Sequence, residues 1–121
     1  FQSNFLPTIP FRNGHFNTMY RPLFMKDKAS FSRKRIKTWD NDFFDLDFSI
    51  VGSESLVLLI HGLEGSSESK YIISNSNHLN NKGLDTVCFN LRGCSGEDNL
   101  LLATYHSGKT EDVEFVVNHL L

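Results

Sequence analysis

The 121-residue chain is 40% apolar and 21% charged, the balance of an ordinary globular domain and not of a disordered segment. Its formal net charge of −2 gives no electrostatic ground for binding nucleic acid or an anionic membrane. No run approaches the roughly 20 apolar residues that a membrane helix needs, so membrane association is not indicated within the chain.

Residues 1–25 are rich in Phe, Pro and Asn without a clear period. They read as an extended arm with turns at Pro7, Pro10 and Asn13-Gly14. Prolines and polar residues stand where a signal peptide would have its apolar region. The sequence opens on Phe1, so the native start is expected upstream. The arm's Phe and Leu side chains are costly to leave in water, and residues 1–34 are expected to pack on the body formed by residues 35–121. The one basic cluster, SRKRIK at 32–37, reads as a solvated segment.

Residues 35–40 and 43–50 read as two strands joined by a turn at Asp40-Asn41-Asp42. In the second, Phe44, Leu46 and Phe48 alternate with Asp45, Asp47 and Ser49, the period of a half-buried strand. On that reading Asp45 and Asp47, like Glu64 and Glu68, are surface carboxylates. Next comes LVLLI at 56–60, a continuous apolar run that reads as a strand buried on both faces. It runs into His61-Gly62-Leu63-Glu64-Gly65, and then into SSESKYIISNSNHL, which carries serine caps and the apolar spacing of a helix. Asn81-Lys82-Gly83 is a helix stop, and 86–89 (TVCF) is another short apolar strand. A second glycine-rich turn, RGCSGE, follows at 92–97. Residues 109–121 close the chain as an amphipathic helix, with Val113, Val116, Val117 and Leu120 on one stripe.

The plan is therefore α/β: an antiparallel strand pair followed by βαβα, with the two apolar strands parallel across a right-handed crossover. Cys88 and Cys94 lack metal-ligand spacing and sit in an apolar run and a turn, which fits free thiols in a reducing compartment.

Three turns could carry chemistry. In open α/β sheets ligands bind at the carboxyl ends of strands, where HGLEG lies. A glycine pair there lets the backbone turn sharply and present N–H groups to an oxyanion, with His61 bracing the turn by a hydrogen bond. A tight strand-to-helix connection without ligand uses the same residues. RGCSG is not a nucleophile elbow, since G-x-S-x-G needs glycine where Glu97 stands. Ser95 is therefore a poor nucleophile, and Arg92 reads as a partner for neighbouring loops. Ala103 to Thr110 fits a relaxed phosphate loop through Ser107, Gly108, Lys109 and Thr110, with alanine in the first glycine's place. A capped helix start with Glu111 and Asp112 in its first turn accounts for the same residues. His15, His78, His106 and His119 show no metal-ligand spacing.

Five segments together resemble the YheT-like (EMB8-like) branch of the α/β-hydrolase superfamily: 13–24 (NGHFNTMYRPLF), 42–49 (DFFDLDFS), 56–71 (LVLLIHGLEGSSESKY), 89–97 (FNLRGCSGE) and 105–113 (YHSGKTEDV). They stand in the family's order and cover nearly the whole chain. The resemblance implies a serine hydrolase of carboxylic esters, acylglycerol or other lipid-like small molecules included, acting through an acyl-serine without metal or cofactor. His61 and Gly62 would form the oxyanion turn, and the Leu63 N–H would join the oxyanion hole. The nucleophile on its G-x-S-x-G elbow, the acid and the histidine base are absent from these residues. The chain thus reads as the N-terminal part of a cytoplasmic hydrolase with an incomplete sheet, cut before the elbow. It is expected to be inactive alone and poorly soluble through its open sheet edge. The alternatives are a noncatalytic interaction or pseudoenzyme domain, and a nucleotide-binding module on Ser107 to Thr110.

Overall fold

The computed structural model describes residues 4–24, 28, 30–106 and 109–121. The elements run α1 (Gly14–Phe24), β1 (Ser32–Lys37), β2 (Phe43–Ser49), β3 (Leu56–Ile60), α2 (Lys70–Asn81), β4 (Asp85–Asn90) and α3 (Thr110–Leu120). The sheet has the order β1-β2-β4-β3. β2 is antiparallel to both β1 and β4, and β3 runs parallel to β4 with Leu59 opposite Cys88. The expected strand pair followed by βαβα is therefore present.

The pleat gives the sheet two unlike faces. Ile36, Phe44, Leu46, Val87 and Phe89 form the apolar core with Val116 of α3, and Leu58, Val113, Phe115 and Leu120 pack around it. The opposite face carries Asp45, Asp47, Thr86, Cys88 and Asn90. α2 covers this second face: its Ile72 is buried, and the Ser76 and Thr86 hydroxyls share a hydrogen bond of 2.6 Å. Gly83, at φ +77, ends α2 in the left-handed conformation that glycine adopts without strain.

Several expectations need correction. Residues 14–24 are helical, not extended: the Asn13 side chain accepts the N–H groups of His15 and Phe16 at 3.0 and 3.2 Å, so Asn13 caps a helix instead of making a turn. Phe16 and Tyr20, one helical turn apart, both meet Phe11 edge to face. β3 is an edge strand among the described residues, with Leu56 and Ile60 each 42% exposed, and is not buried on both faces. Asp45 and Asp47 are buried, not superficial, because β2 lies inside the sheet with β1 and β4 on either side. Each takes an arginine from β1: Arg35 Nε and Nη2 reach Asp45 at 2.7 and 2.8 Å, and Arg33 does the same for Asp47. The basic cluster is thus an edge strand whose arginines are paired. Val117 is exposed, and Phe115 takes the packing place expected of it, against Trp39 and Phe44. The serines before α2 fold on each other instead of capping the helix: Ser69 Oγ accepts the Ser66 N–H at 3.0 Å. No helix among the described residues is long and apolar enough to cross a membrane.

Arg92 ties these layers together. Its side chain is fully buried and meets Asp40, Asp42 and Asp112 at 3.0 Å each, with the Phe44 ring 4.9 Å away. These carboxylates come from the β1–β2 turn and the first turn of α3. Removing one member of a buried ion cluster strands the others, at a cost of about 3–5 kcal/mol. Arg92→Met should therefore lose stability on that scale in urea unfolding. Glu97→Ala, which breaks a pair whose acid is 64% exposed, should change stability by less than about 1 kcal/mol.

Acid should act through the aspartates. Burial pushes Asp42, Asp45 and Asp47 upward, but their donors outweigh it and hold all three below the ordinary carboxyl range; the donors are the Leu100 N–H with Asn99 for Asp42, Arg35 for Asp45 and Arg33 for Asp47. Asp85 is lowered by the N–H groups of Val51, Ser53 and Gly52. A carboxyl lowered by folding stabilises the fold above its unfolded value, about 3.9, and loses that contribution as pH falls through the folded value. The melting temperature, followed by circular dichroism from pH 7 to 2, should hold near neutrality and fall once pH drops below about 4. A rise on acidification would contradict this assignment.

Candidate functional site

Because β3 and β4 are parallel, the turns that follow them leave the sheet at the same edge. The first is a four-residue turn, 62–65, closed by the Gly65 N–H on the Gly62 carbonyl at 3.0 Å. Glu64 in its third position has φ +52, the pattern of a type II turn.

His61 is 5% exposed and uses both ring nitrogens. Nε2 accepts the Leu91 N–H at 3.1 Å, which places the ring proton on Nδ1, and Nδ1 donates to the Gly62 carbonyl at 2.7 Å. His61 therefore links the turn after β3 to the end of β4, the bracing role expected of it, and has no ring nitrogen left for proton transfer. Gly65 is needed for this contact: a Cβ there would stand 3.1 Å from His61 Nδ1, His61 Cβ and the Gly62 oxygen.

The consequence falls on Leu63. A trans peptide is planar, with its N–H opposite its C=O. The Gly62 carbonyl is fixed by two donors on one side, so the Leu63 N–H of the same peptide unit is aimed to the other. Each neighbouring N–H is occupied. Gly62 donates to the Tyr71 hydroxyl at 2.7 Å, Glu64 to the Tyr105 hydroxyl, and Gly65 to Gly62. Leu63 makes no hydrogen bond through its N–H among the described residues, and the residue is 80% exposed. A cavity of about 210 Å³ opens here, lined by Ile60, His61, Leu63, Leu91, Tyr105 and Val113 among others.

The far end of the turn is anchored to the polar face of the sheet. Ser67 donates its N–H to Asn90 Oδ1 at 2.9 Å and its hydroxyl to Asp47 at 2.5 Å, and Asn90 Nδ2 donates to the same Asp47 oxygen at 2.8 Å. A larger depression of about 520 Å³ lies behind this anchor, beside Phe31, Arg33, Asp47 and Ser67. Of its charged residues, Arg33 and Asp47 are paired with each other, and Lys28 and Glu68 stand at its margin.

The second turn serves structure. Arg92 is buried as described, and the Ser95 carbonyl accepts Arg33 Nη1 at 2.7 Å. Cys88 and Cys94 are free thiols, and burial, aided by the Asp47 charge, pushes the Cys88 thiol up to about 12, far from a reactive thiolate. Of the phosphate-loop candidates, Ser107 and Gly108 lie outside the described residues, Lys109 is the N-cap of α3, and Thr110 is its first residue. Glu64 and Glu68 are exposed, as are His15, His78, His106 and His119. Sequence reasoning missed Tyr71 and Tyr105. Both lie within the segments that carry the family resemblance, but their hydroxyls reach the turn only through the packing of α2 and of the loop before α3.

Comparison with known proteins identifies the fold. A family profile described as the alpha/beta hydrolase fold matches residues 55–120. YheT of Escherichia coli (strain K12), which carries an esterase name, is 34% identical over 123 residues, covering 98% of this chain and 36% of that protein. Phospholipase ABHD3 of Homo sapiens is 32% identical over 126 residues, covering 96% of this chain and 31% of that protein. The chain thus spans about a third of the length of these relatives. The solved structure of DcsB in complex with its substrate analogue superposes with a TM-score of 0.57 at 19% identity, over 75% of this chain and 31% of that one, a likeness of fold. The chain belongs to the α/β-hydrolase fold family and is YheT-like within it.

Proposed function

We propose that this chain carries the oxyanion half of the active site of a carboxylic ester hydrolase, with the Leu63 N–H as its donor. When an ester carbonyl is attacked, charge develops on its oxygen, and a donor fixed in advance stabilises that charge more than it stabilises the substrate. The observation that carries the reading is that Leu63 has the one unengaged N–H, among the described residues, on a turn whose neighbouring N–H groups are all bonded. Two hydrogen bonds on the Gly62 carbonyl also polarise that peptide unit and strengthen the donor. His61 and Gly62 build the turn and do not transfer protons.

The esterase and phospholipase names of the relatives support a small-molecule or lipid-like ester as substrate, cleaved through an acyl-serine without metal or cofactor. The 121 residues hold no G-x-S-x-G. The reading therefore places nucleophile, acid and base outside them and leaves the chain inactive alone. The two free thiols favour a reducing, cytoplasmic setting.

The test uses the polypeptide in which this segment is joined to a G-x-S-x-G elbow, assayed with p-nitrophenyl esters. Leu63→Pro deletes the donor at a turn position that proline suits and where the side chain is exposed. It should lower kcat by about 10²–10³-fold with little change in melting temperature. An unchanged kcat would remove Leu63 from the oxyanion hole. Gly65→Ala should instead destabilise the protein by about 1–3 kcal/mol, because His61 is pinned at both nitrogens and cannot retreat from the new methyl. Urea unfolding measures it.

A further inference from the structure

The 62–65 turn has an alternative that its own sequence favours. A positive φ is uncomfortable for a glutamate, yet Glu64 sits at +52. Rotating the peptide unit between Leu63 and Glu64 by half a turn would convert type II to type I, bring Glu64 to a negative φ and keep the Gly65 to Gly62 hydrogen bond. The same rotation exchanges the Glu64 N–H and the Leu63 carbonyl. The Glu64 N–H now points at the Tyr105 hydroxyl, and Tyr105 lines the cavity with His61 and Leu63. After rotation the Leu63 carbonyl oxygen would point at the Tyr105 hydroxyl, putting the negative end of that peptide unit where its N–H now stands and weakening the neighbouring Leu63 N–H as a donor to an oxyanion.

What opposes the rotation is Tyr105, whose hydroxyl oxygen accepts the Glu64 N–H and would have to swing its own proton round to donate to the rotated Leu63 carbonyl instead. Its ring meets His61 edge to face at 6.2 Å between centroids. The flanking peptide unit on the other side is held by Tyr71. We infer that Tyr105 is a positioning residue: its hydroxyl holds the turn in the form with Glu64 at positive φ and keeps the Leu63 carbonyl turned away from Tyr105. The kinetic consequence rests on the hydrolase reading, but the conformational one does not.

The experiment compares wild type, Tyr105→Phe and the double variant Tyr105→Phe with Glu64→Gly, in the polypeptide that carries the elbow. Glycine takes a positive φ without strain, so it should restore the type II form when the hydroxyl is gone. The conformational readout is the nuclear Overhauser effect between Leu63 Hα and the Glu64 amide proton, which is strong in a type II turn and weak in a type I turn. It should weaken in Tyr105→Phe and return in the double variant. In parallel, Tyr105→Phe should lower kcat by about 10- to 100-fold with KM unchanged, and the double variant should recover most of it. An undiminished Overhauser effect in Tyr105→Phe overturns the inference whatever the rate does. Loss of rate that Glu64→Gly does not repair also overturns it, since the loss then comes from the ring's packing on His61. If wild type hydrolyses no ester, the hydrolase reading falls, and the Overhauser comparison alone still decides the role of Tyr105.

Discussion

One guanidinium holds the parts of this chain in register. Arg92 leaves the end of β4 and is surrounded by three carboxylates, which is unfavourable unless each acid has further partners. They do. Asp42 also accepts the N–H groups of Phe43 and Leu100 and the Asn99 amide, so its charge is spread over several donors. Asp112 stands in the first turn of α3, where the unpaired N–H groups of a helix start favour an anion. Asp40 is partly open to water. The β1–β2 turn, the loop after β4 and the start of α3 are thereby fixed to one point, and that point lies at the sheet edge from which the 62–65 turn departs.

The candidate site draws its rigidity from that edge, through a chain of polar contacts. Apolar packing alone would leave a peptide unit free to rotate about its own axis, because it sets no direction for N–H or C=O. Here the direction is set three times over: His61 and Gly65 on the Gly62 carbonyl, Tyr71 on one flank and Tyr105 on the other. Preorganisation of this kind matters most for a donor that must meet charge as it forms, since any reorientation during reaction subtracts from the stabilisation.

What could be read from the sequence was whatever depends on local pattern. The alternation of Phe44, Leu46 and Phe48, the apolar run 56–60 and the Gly83 stop gave strands and helix end, and His61-Gly62 marked the turn. What could not be read depends on which strand neighbours which. Asp45 and Asp47 occupy the polar phase of an alternating strand, and a half-exposed strand is the simplest reading of such a pattern. Only the order β1-β2-β4-β3, with α2 lying over the second face, turns them into buried groups. The arginines that neutralise them looked like a solvated cluster for the same reason. Asn13-Gly14 was ambiguous in a different way, because an asparagine that turns a chain and one that caps a helix use the same side-chain oxygen.

The polar face also explains how a turn can be anchored to a sheet without loosening it. Asp47, Asn90 and Ser67 come from β2, β4 and the connection to α2, and each satisfies the others in the space beneath that helix. Among the described residues no buried side-chain polar atom is left without a partner. A half-satisfied network in that position would cost more than an apolar filling and would let the connection drift. Completed as it is, the network extends the order of the sheet into the residues that follow the turn. The loop that presents Leu63 is then bounded by the β3 strand on one side and by a serine bonded to two strands on the other. A free N–H on a loop is ordinarily a mobile group. Held between two such boundaries, it becomes a donor with a defined direction.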